Sequence, residues 1–473
     1  MRRIGIDVGG TNTDAVLIED GKVVGAVKAP TSEDVTTGIL DSLKALGATG
    51  VLKGKKIDGV MIGTTHFINA VVQRRHLTRV GALRLGMPAS ASLPPFCDWP
   101  EDLANLVRGG VWMVEGGHEY DGRLFMPLDE AAVTKSAEEM KAKGLKSVAI
   151  SAIFSPLDPT HEKRAAELVA KVIPEAIITC SSDLGRIGLL ERENAGLLNA
   201  ALADLSRDTI AAFKKAIRDS GIAAPLFITQ NDGTVAEASQ ARRLPVYSFA
   251  SGATNSMRGA AYLSGLSDAM VIDVGGTTTD VGQLKNGFPR EANSVVKVGG
   301  VRTLFRMPDL LSIGLGGGSH VQLEPLKVGP ISVGYRLLRD GIAFGGKQLT
   351  TTDVAIAAGV LTLGDRAKVA HLDAATCKKV FAEAARLSEE AIDRMKTEAG
   401  DVPLIAPAGQ AATQVPQPWH SAGLTSVTIR SSWKRMALNG HRLLQIRQPE
   451  HASSSIEATI GSIITATVRG FSE

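Results

Sequence analysis

The sequence predicts a layered α/β protein built in two lobes, and three observations predict it. Short apolar runs alternate with Ala/Lys/Glu/Leu-rich segments of helical length. Fifty glycines among 473 residues supply many tight turns. One eight-residue pattern occurs twice: Asp7-Val8-Gly9-Gly10-Thr11-Asn12-Thr13-Asp14 and Asp273-Val274-Gly275-Gly276-Thr277-Thr278-Thr279-Asp280 agree at seven of eight positions. At about 100 to 200 residues per domain, a chain of this length holds more than one folding unit. We read residues 1–190 as an N-terminal lobe, with an insertion at about 85–128, and residues 191–473 as a C-terminal lobe carrying the second copy.

Each copy follows an apolar strand, at residues 4–6 and 270–272, and precedes another strand that ends in a turn, Asp20-Gly21 or Asn286-Gly287. Between the copies the spacing predicts a helix at 32–45 capped by Thr31 or Ser32, a buried strand at 59–62, and a helix from His66 to Arg75. Residues 85–128 break the rhythm with Pro88, Pro94, Pro95 and Pro100. Alternation resumes with a strand at 147–154, a helix at 159–172, a strand at 176–179 and one long helix at 190–219. Strands at 226–229 and 246–250 and a helix at 255–263 lead to the second copy. Beyond it come a glycine-rich turn at 314–319, helices at 353–363 and 374–397, and a strand at 402–406.

Composition removes several function classes. Fifty-two Lys and Arg against 49 Asp and Glu leave a formal charge of +3, and aromatics are 4%, so neither a basic field nor a stacking platform favours nucleic acid. The longest apolar runs fall far short of the roughly 20 residues that span a bilayer, and Asp7 interrupts any leader-like stretch. Three scattered cysteines, Cys97, Cys180 and Cys377, form no metal or disulfide framework and suit a reducing cytoplasm. We therefore expect a cytoplasmic protein without nucleic-acid or membrane partners; a homo-oligomer stays open.

The repeat carries the chemistry. Paired glycines at a bend let backbone N–H groups converge on a phosphate without Cβ obstruction. That assigns Gly9, Gly10, Thr11, Gly275, Gly276 and Thr277 to phosphate binding. Asp7 and Asp273, each ending a strand, suit Mg²⁺ beside a polyphosphate. Thr13, Thr279, Asp14 and Asp280 have two readings, ligand contact or a local role, hydrogen bonds within the hairpin for the threonines and turn capping for the aspartates. Thr64 and Thr65 could orient substrate or cap a helix, and His66 could be a base or a bystander. Gly316, Gly317 and Gly318 read as a third phosphate or substrate loop, or as a plain turn. The run Glu191-Arg192-Glu193-Asn194 reads as a solvated first helical turn, and residues 341–348 fail as a Walker loop because Gln348 stands where Ser or Thr should bind Mg²⁺.

The doubled motif resembles the two phosphate elements of the actin, sugar-kinase and Hsp70 superfamily of two-lobed ATPases. Within it the chain resembles the hydantoinase/oxoprolinase A family, through Ile62-Gly63-Thr64-Thr65-His66-Phe67-Ile68-Asn69-Ala70, Gly316-Gly317-Gly318-Ser319, Thr351-Thr352-Asp353-Val354 and Pro449-Glu450-His451. The resemblance implies an actin-like ATPase fold of two ribonuclease-H-like lobes with a nucleotide cleft between them, and ATP and Mg²⁺ as cofactors. It also implies an ATP-dependent ring-opening amidohydrolase subunit for a lactam or hydantoin substrate. In such a reaction, phosphorylating the carbonyl oxygen would activate the amide toward water. The chain is shorter than the usual A-type subunits, so a second enzyme subunit is expected. A small-molecule kinase of the same fold, or a regulatory or reactivating ATPase, is the alternative. Where the family places a glycine-rich turn supporting adenosine, this chain has Pro407-Ala408-Gly409-Gln410-Ala411. The segment 407–448 that begins there carries five Lys or Arg and no Asp or Glu, which fits a compensated reading-frame shift or a lineage-specific segment.

Overall fold

The computed structural model describes residues 1–8, 12–30, 35–54, 56–292 and 295–395, with four further strands between 403 and 447. The first copy of the repeat opens a six-stranded sheet. Strand β1 (Arg2–Val8) pairs antiparallel with β2 (Asn12–Glu19), which pairs with β3 (Lys22–Pro30). After α1 (Val35–Ala48), β4 (Gly59–Thr64) joins the other side of β1 in parallel and leads into α2 (His66–Gln73). The cap expected for the first helix falls outside the described residues.

The insertion is larger and more regular than the prolines at 85–128 suggest. Strands β5 (Val80–Met87), β6 (Arg108–Glu115), β7 (Ser147–Ala152) and β8 (Ile177–Cys180) form a four-stranded parallel sheet in the order β6-β5-β7-β8. Helices α3 (Glu101–Val107), α4 (Glu130–Ala142) and α5 (Thr160–Val172) make the crossovers. Parallel strands need such helices on their faces, so this stretch is an α/β unit of its own.

Two other expectations change. The helix expected at 190–219 is two, α6 (Leu189–Ala201) and α7 (Ala203–Asp219), meeting at Leu202. Residues 246–250 make no strand: a short 3₁₀ turn (Pro245–Ser248) runs into the next helix, and Val246 and Phe249, three apart, are buried together in one cluster. The first sheet also continues past residue 190. Strand β9 (Leu226–Thr229) pairs parallel with β4, and β10 (Val235–Glu237) pairs with β9, giving the order β10-β9-β4-β1-β2-β3. Helices α8 (Ala238–Arg243) and α9 (Ser251–Ser264) follow.

The second copy builds a second sheet by the same rule. Strand β11 (Ala269–Val274) pairs antiparallel with β12 (Thr279–Lys285), which meets both β13 (Phe288–Pro289) and the later β16 (Leu310–Ile313). A small hairpin, β14 (Val296–Val298) with β15 (Val301–Thr303), lies between them in sequence. Another, β17 (Ser319–Leu323) with β18 (Leu326–Ser332), precedes α10 (Leu337–Asp340), α11 (Thr351–Ala357) and α12 (Ala374–Met395). On the other side of β11, β19 (Pro403–Pro407) pairs in parallel, as β4 does beside β1. Antiparallel strands β20 (Leu424–Thr428), β21 (Lys434–Asn439) and β22 (Arg442–Arg447) extend that edge.

Strand alternation decides which way each motif faces, because successive side chains point to opposite faces. In β1, Ile4, Ile6 and Val8 enter a core with α1 and α7, so Gly5 and Asp7 face the other side. In β11, Met270, Ile272 and Val274 pack on the end of α12, while Ala269 and Val271 pack on Met257, Ala260 and Ala261 of α9. Asp273 shares the face of Val271. Helix α9 thus stands against the aspartate face of both sheets.

Candidate functional site

The two copies are superposable in register: Asp7 sits opposite Asp14 and Val8 opposite Thr13, as Asp273 sits opposite Asp280 and Val274 opposite Thr279. Adjacent residues of α9 reach the two strand-end carboxylates. Asn255 donates its Nδ2 hydrogen to Asp7 Oδ1 at 3.2 Å, and the Ser256 hydroxyl lies against the Asp273 carboxyl. Gly63, beside Asp7 on the neighbouring strand, makes this approach possible: a Cβ there would lie 1.9 Å from Asn255 Nδ2 and 2.8 Å from Asp7 Oδ1. Asp7 and Asp273 therefore belong to one constellation although 266 residues separate them in sequence. Gly9, Gly10 and Thr11 fall outside the described residues.

Around the second copy, backbone packs on backbone. The carbonyl of Gly275 accepts from Gly317 N at 3.1 Å and that of Gly276 from Gly318 N at 2.7 Å. A Cβ on Gly316 would come within 2.6 Å of the Gly275 oxygen, so only glycine fits there. In a planar trans peptide the N–H points opposite to the C=O. With both carbonyls turned inward, the next two amides, Gly276 N–H and Thr277 N–H, are turned outward, where Thr277 and Thr278 are exposed. Two successive amides turned the same way are the donors with which a backbone can receive an anion.

Gly316, Gly317 and Gly318 therefore hold the loop and do not line it. All three are buried, and their amides are spent on Ser319 Oγ, Gly275 O and Gly276 O. Thr351 and Thr352 hydroxyls bond the carbonyls of this turn, with Thr352 Oγ1 at 2.7 Å from Gly317 O. Behind them Thr350 and Asp353 form a capping box, and the Asp353 carboxylate also accepts from Ala343 N at 2.7 Å and Ile342 N at 3.3 Å. The near-Walker loop is thus fastened to the base of the true glycine loop.

Several hydroxyls prove internal. Thr279 is buried and donates to Leu315 O at 2.6 Å. Thr13 is likewise buried, under Gly38. Thr64 is buried; its Oγ1 accepts from His66 N at 3.1 Å and its backbone exchanges two bonds with the Ser251 hydroxyl of α9. Thr65 is half-buried, bonded to Asn69 Nδ2 at 3.2 Å, and lies beside Gly252 of α9.

Burial sets the electrostatics. It pushes the Asp273 carboxyl up to about 6, with the Ser256 hydroxyl opposing and Asp280 adding to the rise. Asp280 is raised by burial against a bond from Ser312, and Asp14 by burial against Lys28, 3.7 Å away. Asp273 Oδ1 is buried with no hydrogen-bond partner, an orphaned carboxylate oxygen that calls for a cation. Among the described residues no three His, Cys, Asp or Glu group to hold a metal alone. Mg²⁺ takes one or two carboxylates and completes its shell with phosphate oxygens and water. Asp7 and Asp273 are the residues that would hold it.

The run at 191–194 was expected in solvent and is not. Arg192, Glu193 and Asn194 are all at most 3% exposed. Arg84, fully buried in β5, pairs with Glu193 through two nitrogens, one at 2.9 Å. Arg192 Nε donates to Ser181 Oγ at 2.9 Å, and Asn194 accepts from Trp99 Nε1 at 2.7 Å. Helix α6 is covered on all sides by the α/β unit and the β14–β15 hairpin, and its polar side chains are pins between them. Sequence gave no warning, since charged residues at a helix start usually face water. Asn255 and Ser256 were also missed: two small polar residues in a Gly/Ala/Ser-rich helix carry no motif.

Two sheets of like topology, each led by a glycine hairpin and sharing an interlobe helix, define a two-lobed actin-like ATPase fold. The particular family follows from comparison. The hydantoinase/oxoprolinase N-terminal region matches residues 3–173, and hydantoinase/oxoprolinase matches residues 192–401. The chain belongs to the hydantoinase/oxoprolinase family. It is 27% identical over 393 residues to the caprolactamase subunit alpha of Pseudomonas jessenii, covering 76% of this chain and 55% of that protein. It is 26% identical over 396 residues to the acetophenone carboxylase gamma subunit of Aromatoleum aromaticum, covering 76% and 53%. The crystal structure of the ATP-dependent caprolactamase from Pseudomonas jessenii shares the fold, with a TM-score of 0.68 and 22% identity over 87% of this chain and 70% of that one. The chain spans about half the length of the curated relatives it matches. Among the described residues, no helix is long and apolar enough to cross a membrane.

Proposed function

We propose that this chain is the nucleotide-binding part of an ATP-dependent enzyme that opens a cyclic amide of the lactam or hydantoin type together with a second subunit. The observation that carries the reading is the pair of outward amides at Gly276 and Thr277, set beside an orphaned carboxylate oxygen of Asp273. Amides of this kind hold phosphate oxygens, and a carboxylate beside them needs a cation between. Mg²⁺, held by Asp7 and Asp273, would neutralise charge on the phosphates. The likeness to the ATP-dependent caprolactamase supports ATP-coupled chemistry on a cyclic amide.

In this reading the amide carbonyl oxygen takes the γ-phosphoryl group and ADP leaves. Water then adds to the activated carbon, the C–N bond breaks with the proton passing to nitrogen, and a second water hydrolyses the acyl phosphate that remains to carboxylate and phosphate. In this reading the outward amides orient the phosphates, and Thr65, half-buried just beyond β4, faces substrate. Thr64 serves it by fixing the start of α2. ATP turnover measured against a lactam and hydantoin panel, with and without the product of the adjacent gene, tests the proposal. Ring-opened product with one phosphate per turnover is the expected result; ATP turnover indifferent to every cyclic amide would overturn the substrate assignment. The likeness to a carboxylase subunit favours one second reading, ATP-dependent carboxylation, in which labelled bicarbonate appears in product. A kinase would instead leave phosphate on the product.

A further inference from the structure

Helix α9 is fastened along its length to the sheets of both copies of the repeat. On one stripe Ser251 bonds Thr64, Asn255 bonds Asp7, and Tyr262 Oη bonds the carbonyl of Gly21 in the first copy's turn. On the other, Ser256 lies against Asp273 and Met257 packs under Gly282. Arg258 reaches the second copy's turn, bonding Gly287 O while its guanidinium stacks 3.9 Å from the Phe288 ring. Consecutive helical residues project about 100° apart, so adjacent side chains on a helix wedged between two sheets reach one sheet each.

We propose that Asn255 and Ser256 are positioning residues for the two motif aspartates, so that one rigid helix sets where both carboxylates stand relative to a single metal–triphosphate. The inference rests on the nucleotide reading above and adds the element that enforces it. An Asn amide is an N–H donor that fixes a carboxylate oxygen without competing for the metal, and a serine hydroxyl does the same with little bulk. Gly63 is the complementary feature, the one residue type that lets Asn255 come within reach. A helix packed only for stability would gain more from apolar residues at these two positions than from bonds to buried carboxylates.

The test uses the full chain and a non-hydrolysable ATP analogue, titrated calorimetrically with and without Mg²⁺, for wild type, Asn255→Ala and Ser256→Ala. Each variant is expected to weaken Mg²⁺-dependent binding about tenfold while changing Mg²⁺-free binding less than about threefold, one hydrogen bond to a charged group being the size of the effect. In an Asp7→Ala background, Asn255→Ala should add nothing further. Wild-type affinity in both variants, or equal losses with and without Mg²⁺, would overturn the positioning role and leave the nucleotide reading standing. A wild-type chain that ignores Mg²⁺ and nucleotide alike would remove both. Melting curves certify that the variants fold; should Asn255→Ala fail there, Asn255→Ser takes its place under the same criteria.

Discussion

Asp273 shows at the scale of one residue what burying a carboxylate costs a fold. Its carboxyl, held near 6, binds a proton in the folded state at pH values where the unfolded chain has already released it. Below about pH 4 both states are protonated and burial carries no ionisation penalty; as pH rises through 6 the fold must bury a charge, losing up to about 3 kcal/mol. Asp273→Asn is therefore expected to raise the melting temperature of the metal-free and nucleotide-free protein at about pH 8 and to leave it unchanged at about pH 4. The same variant should lose Mg²⁺-dependent nucleotide binding. Equal melting shifts at both pH values would show that the carboxyl is not the destabilising group.

Arg84 and Glu193 pose the opposite case, a buried pair away from the repeat. Removing one partner leaves an uncompensated charge, so Glu193→Ala should cost about 3–5 kcal/mol in denaturant unfolding. Arg84→Met with Glu193→Leu should recover most of that, because neither charge then needs solvation. A Glu193→Ala loss below about 1 kcal/mol would mean that water reaches Arg84.

Among the elements, the glycine loops and α9 do most to shape the site. Gly63→Ala introduces a methyl into the 1.9 Å gap before Asn255. The chain must then move α9 or Asp7, and we expect nucleotide affinity in Mg²⁺ to fall at least about tenfold with a stability loss of about 1–3 kcal/mol. Asp353→Ala acts at a distance from any ligand. It strips the partner from the buried amides of Thr350, Ile342 and Ala343, and so unfastens the turn that keeps the Gly275 and Gly276 carbonyls inward. The predicted result is a loss of about 3 kcal/mol or more, with faster hydrogen exchange at residues 314–319 than at β1–β4.

For the whole molecule, two sheets joined by α9, with α6 pinning the α/β unit to the β14–β15 hairpin, should respond to ligand as one body. A Mg²⁺–ATP analogue at a hundred times its dissociation constant should stabilise the fold by about 2.7 kcal/mol, read as a raised melting temperature. EDTA should cancel that shift and leave the ligand-free melting point alone. A single transition moving as a unit is expected; two transitions, only one of them ligand-sensitive, would show that the lobes unfold separately.

The repeat, its hairpins and the strand on either side of each were legible in the sequence because glycine pairs, turn dipeptides and period-2 alternation are local signals. Ile4-Gly5-Ile6-Asp7-Val8 alternates apolar side chains with other residues, whereas Met270-Val271-Ile272-Asp273-Val274 is buried on both faces. Other features were beyond local reading. The proline-rich stretch at 85–128 gave no hint that its flanks pair as parallel strands, since such pairing is decided across long crossovers. The charged start of α6 looked solvated because burial depends on what covers a helix. Gly316–Gly318 looked like a ligand loop, and only their bonds to Gly275 and Gly276 show that they aim another loop's amides. The sequence by itself determined that two equivalent glycine bends exist, each with an aspartate at the end of its strand. Tertiary structure decided that one helix touches both aspartates, because a contact between residues 7, 255, 256 and 273 is a property of packing that no window along the chain contains.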